Sequence, residues 1–186
     1  MRKAGRVRDQ ATGSIRLRCV GSNIQDFTEA SDGFQLVFLY DDLLDDQRLC
    51  DLCPGASFLM IARLPGYRLL VNRQGVVAAA PSQNSTIYGI VVEIPDVEIP
   101  ELEARFATEG LDERSTEFAD GCLGEGFLVE VWTSSDDREG WAEPIRIVQL
   151  LALAHEFRFP DSYLAEIANW AKGTDDVLTG TLRRVS

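Results

Sequence analysis

Lysine and histidine are nearly missing from this chain. Lysine stands only at positions 3 and 172 and histidine only at 155, while acidic residues number 30. The formal net charge is −12, so the body of the chain lacks the clustered cations that neutralise phosphates, which excludes a general nucleic-acid binder. No apolar run approaches the roughly 18 residues that cross a bilayer, and the basic start has no apolar stretch behind it, so a cytoplasmic protein with no membrane partner is expected. Four cysteines, at 19, 50, 53 and 122, are too few for a disulfide scaffold and are expected to stay reduced. Cys50 and Cys53 have the spacing of a zinc or redox pair. Closing a zinc site would require Cys19 and Cys122, or His155, to converge on them. Buried inert thiols are expected instead, with no metal and no cofactor.

What charge there is divides unevenly. Arg2, Lys3, Arg6, Arg8, Arg16 and Arg18 against Asp9 make the first 18 residues +5, which leaves −17 for the rest of a chain at −12. Residues 1–14 therefore read as a basic tail and 15–186 as one domain, with 45% hydrophobic residues to fill a single core. Nothing in the composition speaks to oligomeric state.

The stretch that organises the rest is Phe34-Gln-Leu-Val-Phe-Leu-Tyr40, running into Asp41-Asp42-Leu43-Leu44. An apolar run rich in strand formers that ends in acid reads as a buried strand delivering a loop to a cavity. Upstream, Ile15 to Val20 reads as an edge strand closed by a Gly21-Ser22-Asn23 turn. Downstream, Leu43 to Leu49 spaces its leucines like one or two helical turns, which Pro54-Gly55 stops. Ser57 to Arg63 and Tyr67 to Asn72 read as strand segments bent at Pro65-Gly66. Gln74-Gly75 then turns the chain into Val76 to Ala80, and Ile87 to Ile94 is another strand.

Pro100 to Glu109 reads as a helix with Pro100 in its first turn and Gly110 at its C-terminal end, burying Leu102 and Phe106. Residues 111–126 are acidic and glycine-rich, and Phe127 to Thr133 reads as a strand. After a turn at Ser134 to Gly140, Ile145 to Ala154 is expected to pair back as a further strand. Asp161 to Gly173 reads as an amphipathic helix carrying Leu164, Ile167, Ala168 and Ala171, capped by Asp161 or Ser162. The sum is an α+β protein: a small mixed or antiparallel β-barrel flanked by short helices.

In this order the landmarks resemble the gamma-glutamylcyclotransferase-like family. The resemblance runs over Phe38 to Ile94 through Tyr40 to Leu44, Cys53-Pro-Gly-Ala56, Ala62-Arg-Leu-Pro-Gly-Tyr-Arg-Leu69, Ala80-Pro81 and Tyr88-Gly89-Ile-Val-Val. It continues through the helix ending Glu109-Gly110 and the Pro160-x-x-Tyr163-Leu-x-x-Ile167 helix, about two thirds of the chain in all. The resemblance implies a barrel holding a gamma-glutamyl group, which is cyclised to 5-oxoproline with release of an amine or amino acid and no metal or cofactor. It also implies that Glu109 is the acid/base and that Tyr40, Asp41, Asp42, Leu43 and Leu44 form the substrate loop. The chemistry suits those parts: the substrate's α-amine is the nucleophile, a carboxylate shuttles the proton, and loop amides hold the substrate carboxylate.

The chain departs from the family pattern at two places. The loop usually reads Tyr-Gly, then Ser or Thr, then Asn or Leu, whereas Asp41 and Asp42 stand after Tyr40 here, and paired aspartates would repel a carboxylate. A Leu-Asp pair usually precedes the Glu-Gly step, whereas Arg105 and Phe106 hold those positions. Glu103 is a poorer substitute for Glu109. Two functions follow: a cyclotransferase acting on a small gamma-glutamyl compound, with a cationic head group giving the acidic loop a purpose, or an inactive relative that binds a small ligand or a protein. The other candidates have structural readings: His155 as a hydrogen-bonded residue at a strand exit, Trp132, Trp141 and Trp170 as packing, Tyr67 and Tyr163 as packing or cavity lining, and Asp41, Asp42, Asp45 and Asp46 as a solvated helix start rather than a cation loop.

Overall fold

The run beginning at Phe34 forms strand β1 (Phe34–Leu39), and Val37, Phe38 and Leu39 are all buried, so both of its faces are covered. A computed structural model describes residues 33–121, 124–136 and 138–172, with residues 171 and 172 described by their backbone alone. The expected basic tail, the Ile15 to Val20 strand, the Gly21-Ser22-Asn23 turn, Cys19 and Cys122 lie outside the described residues.

Past β1 the chain makes a 3₁₀ turn over Asp42–Leu44 and then helix α1 (Asp46–Leu52). The aspartates explain both starts. Asp41 accepts from the Leu43 amide, and the Asp45 side chain accepts from the amides of Gln47 and Arg48, which satisfies orphan donors at each beginning. The segments expected on either side of Pro65-Gly66 are one strand, β2 (Ser57–Val71), irregular between Pro65 and Tyr67 where Gly66 has a φ of +82°. It pairs with β3 (Val77–Pro95) as a long hairpin.

Helix α2 (Ile99–Thr108) buries Ile99, Leu102 and Phe106, and Gly110 ends it at φ +73°. The Leu111 amide reaches back to the Phe106 carbonyl at 2.9 Å and the Gly110 amide to Ala107 at 3.2 Å. That is the Schellman ending, which needs a residue free to adopt positive φ. Glu109 is thereby fixed as the last residue before the chain reverses.

The acidic stretch after residue 111 holds a strand that its composition does not announce: Glu113–Gly121 is β4, paired along its length with β5 (Gly126–Thr133). Few of its side chains enter the core, so it shows little apolar alternation. Its pairing is reinforced by polar neighbours instead, with Arg114 and Thr116 both bonded to Glu130. The stretch expected as a strand from Ile145 is helix α3 (Pro144–Glu156), with Pro144 in its first turn and Ile147, Leu150 and Ala154 buried. Ile145 and Val148 are exposed on the same helix. They fill the outer face with apolar side chains and so conceal the helical period. His155 is accordingly on the last turn of a helix and exposed, not at a strand exit. Helix α4 (Asp161–Lys172) is where the closing helix was expected.

The strands close into a barrel in the order β1-β3-β2-β4-β5. Every pairing is antiparallel except β1 with β5, which meet in parallel at Val37 and Glu130. β1 and β3 approach closely at Gly89, where a Cβ would stand 2.2 Å from the Leu39 carbonyl oxygen and 2.7 Å from the Phe38 ring. No described helix is long and apolar enough to cross a membrane. The fold class is the one read from the sequence: a small mixed barrel flanked, among the described residues, by four helices, as one domain.

Candidate active site

Because β1 ends in a tight turn and α2 ends at Glu109, the barrel brings these two chain ends together. Between them lies an open cleft of about 500 Å³, walled by the carboxylates of Asp42, Asp51 and Glu109 and the guanidinium groups of Arg48, Arg105 and Arg146, with Leu52 beside them.

Of the six residues assigned to the site from sequence, Asp42 and Glu109 line this cleft. Tyr40, Leu43 and Leu44 are buried in the core. The Tyr40 hydroxyl donates to the Trp132 carbonyl at 2.7 Å and accepts from the Ala79 amide at 3.1 Å, tying the strand end to β5 and β3. Burial, with the nearby Asp41 charge, raises the Tyr40 pKa well above its usual range. The group is a fixed hydrogen-bonded strut.

Asp41 lies beneath the cleft and is 3% exposed. One oxygen, Oδ1, accepts from the Leu43 amide at 3.0 Å. The other, Oδ2, is buried with no hydrogen-bond partner, and its nearest cation is Arg105 Nη2 at 3.8 Å. Desolvation, reinforced by the charge of Asp42, pushes this carboxyl up to about 7, and the attraction of Arg105 does not offset it.

Arg105 is the hub. Its Nη2 donates to Asp42 Oδ1, and its Nε lies 3.4 Å from Glu109 Oε2, one helical turn further on. Burial alone would lower the Arg105 pKa, but the three carboxylates of Asp41, Asp42 and Glu109 raise it overall, so the guanidinium is firmly charged. Arg48 also binds Asp42 and reaches Gln149 at 3.4 Å. The Glu109 side chain is 18% exposed, with Oε2 buried and lacking a hydrogen bond. Its backbone carbonyl accepts from Asn72 Nδ2 at 3.0 Å. Asn72 is itself buried, and its Oδ1 takes the amides of Gln74 and Val76, both at 3.0 Å, so the β2–β3 turn and the end of α2 share one anchor.

The arginines of the cleft were not assigned to the site from sequence. Arg105 had a usable signal, since it stands four residues before Glu109 on a helix. Arg48 and Arg146 had none, because the packing of α1 and α3 around the 3₁₀ turn brings them in. Glu103 points elsewhere, pairing with Arg114. Cys53 is buried, which pushes its thiol up to about 11, and Cys50 is half-buried. Both fit inert thiols. Among the described residues no group of His, Cys, Asp and Glu is placed to hold a metal. Trp132 and Tyr163 are core residues, whereas Trp141 is 73% exposed.

A carboxylate held by an arginine at the mouth of an open cleft can take up and return a proton, and the paired signs of charge suit a zwitterion. No family model and no curated protein matches the chain. Solved structures do. A gamma-glutamyl cyclotransferase superimposes with a TM-score of 0.66 at 18% identity, over 73% of this chain and 86% of that one. An uncharacterized protein from Homo sapiens, loc79017, gives 0.66 at 17%, over 73% and 87%. A gamma-glutamyl cyclotransferase specific to glutathione from yeast gives 0.52 at 9%, over 76% and 96%. The class that the barrel and its helices define is therefore the gamma-glutamyl cyclotransferase fold.

Proposed function

We propose that this chain is a cyclotransferase-type enzyme that closes the gamma-glutamyl group of a small molecule to 5-oxoproline and releases an amine or amino acid. The observation that carries the reading is the meeting of Asp42, from the exit of β1, with Glu109, from the end of α2, in one cleft of a barrel with this fold. Glu109 is the proposed acid/base. The oxygen turned away from Arg105, Oε1, accepts the proton of the substrate's α-amine as that nitrogen attacks the γ-carbonyl carbon. The carboxyl then returns the proton to the departing nitrogen as the amide C–N bond breaks. Arg105 holds the carboxylate in place, and Asn72 fixes the backbone that bears it. The substrate loop is proposed to act through Asp42, with Asp41 behind it, while Tyr40, Leu43 and Leu44 shape it from the core. No metal or organic cofactor is required.

A second reading has its own observation. The Leu43, Leu44 and Asp45 amides of the loop are already bonded within it, to Asp41 Oδ1 and to the Asp41 and Asp42 carbonyls, and Arg105 partly neutralises Glu109. These features favour a relative that binds a ligand or a protein without chemistry. Release of 5-oxoproline from gamma-glutamyl amino acids, gamma-glutamyl amines and glutathione separates the two. The enzyme reading expects turnover that falls at least 100-fold in Glu109→Gln, the scale of a lost proton shuttle. A folded protein inactive across the panel would favour the binding reading.

A further inference from the structure

The cleft holds three cations, and two of them are engaged. Arg48 binds Asp42 and Gln149, and Arg105 binds Asp42 and faces Glu109 and Asp41. Arg146 lines the same cleft and has no ion-pair partner among the described residues. It sits in the first turn of α3, at the positive end of a 13-residue helix, its amide bonded to the Glu143 carbonyl at 2.9 Å.

The opposite wall cannot serve an anion. The amides of Leu43, Leu44 and Asp45 are consumed within the turn, at 3.0, 3.2 and 3.2 Å, and the Asp41 carboxylate occupies that turn itself. Both oxygens of Asp42 are held by the guanidiniums of Arg105 and Arg48, so the two cations on this side are already committed to a carboxylate of the chain. A ligand entering the cleft thus meets an unpaired guanidinium on the α3 side and carboxylates on the side of the β1 exit.

We propose that Arg146 is the carboxylate-binding residue of this cleft, holding the α-carboxylate of an amino-acid-like ligand whose ammonium faces Asp42 and Glu109. The inference rests on the cyclotransferase reading for the identity of that ligand, a gamma-glutamyl compound. It assigns to an arginine fork on α3 the task that loop amides do not perform here. A planar guanidinium pairs with a carboxylate through two parallel hydrogen bonds, which Lys reproduces in charge but not in geometry.

The test compares 5-oxoproline with its primary carboxamide, a pair that differs only in the carboxylate and carries no ammonium. Affinities are measured by NMR titration of the full chain alongside 5-oxoproline release from the gamma-glutamyl panel. The expected result is a preference for the acid of about 10-fold to 100-fold, the size of a charge-assisted hydrogen bond. Arg146→Gln removes this preference and Arg146→Lys keeps part of it. Arg146 is exposed, so both variants are expected to keep the thermal midpoint of the natural chain. A preference that survives in Arg146→Gln and disappears in Arg48→Gln overturns the assignment. Turnover by the natural chain with the same KM in Arg146→Gln overturns it too, while leaving the proposed function standing. A natural chain that binds neither compound and releases no 5-oxoproline overturns both.

Discussion

At the scale of the residue, the site is a balance of four side chains. Asp41 would be a poor choice for a buried position on its own, because one oxygen has no donor and Asp42 stands next to it. Its carboxyl is pushed up to about 7 from an ordinary value of 3.8. Between those values the folded chain holds a proton that the unfolded chain has lost. Its contribution to stability is therefore fully present below about pH 4, falls as the pH rises, and is gone above about 7. The slope is at most on the order of 1.4 kcal/mol per pH unit. Asp41→Asn removes that slope, so urea denaturation of the two proteins should show the variant gaining on the natural chain as the pH rises from 4 to 7. Parallel curves would mean that Asp41 is ionised in the folded state. Arg105→Met deserves the same measurement. With the hub removed, the carboxylates of Asp41, Asp42 and Glu109 lose the cation they share, and the variant should unfold at a lower urea concentration than the natural chain.

At the scale of the element, the end of α2 and the exit of β1 are each held by one crowded or bonded position. Asn72 ties the Glu109 carbonyl to the β2–β3 turn with three side-chain hydrogen bonds. Asn72→Ala leaves those groups without their partner and should cost about 2–4 kcal/mol in denaturant, at about 1 kcal/mol or more for each bond. Under the proposed function it also lowers turnover, because Glu109 loses its fixed backbone. Gly89 is required for a different reason. A methyl group there would stand 2.2 Å from the Leu39 carbonyl oxygen, so Gly89→Ala must push β1 away from β3. The expected loss is about 1–3 kcal/mol, read as a lower denaturation midpoint, and a neutral outcome would show that β1 can shift freely.

At the scale of the whole molecule, closure of the sheet leaves β1 dependent on β3 on one side and β5 on the other. The core is continuous from the barrel to α2, α3 and α4, through Leu102, Phe106, Ile147, Leu150, Tyr163 and Ile167. A domain held this way should unfold as one unit. Helix content followed by far-UV circular dichroism and the fluorescence of Trp132, buried against Phe106, are expected to change at the same temperature. An earlier loss of helix signal would show that the closing helices detach from an intact barrel.

The sequence by itself determined the elements whose chemistry is local. An apolar run ending at Asp41-Asp42 specified β1 and its exit, Pro100 and Gly110 bounded α2, and Gly75 turned the long hairpin, because each depends on neighbours a few residues away. The meeting of Asp42 with Glu109 was expected from a resemblance, whereas the burial of Tyr40, Leu43 and Leu44 away from the cleft depends on how β1 turns into the core. β4 was illegible because its polar side chains are matched across the sheet to β5 rather than to a core. α3 was misread because its outer face is apolar as well as its inner one. Only the tertiary structure decided that Arg48, Arg105 and Arg146 line one cleft: their charges come from three helices, and sequence distance carries no information about which charges a closed barrel will bring together.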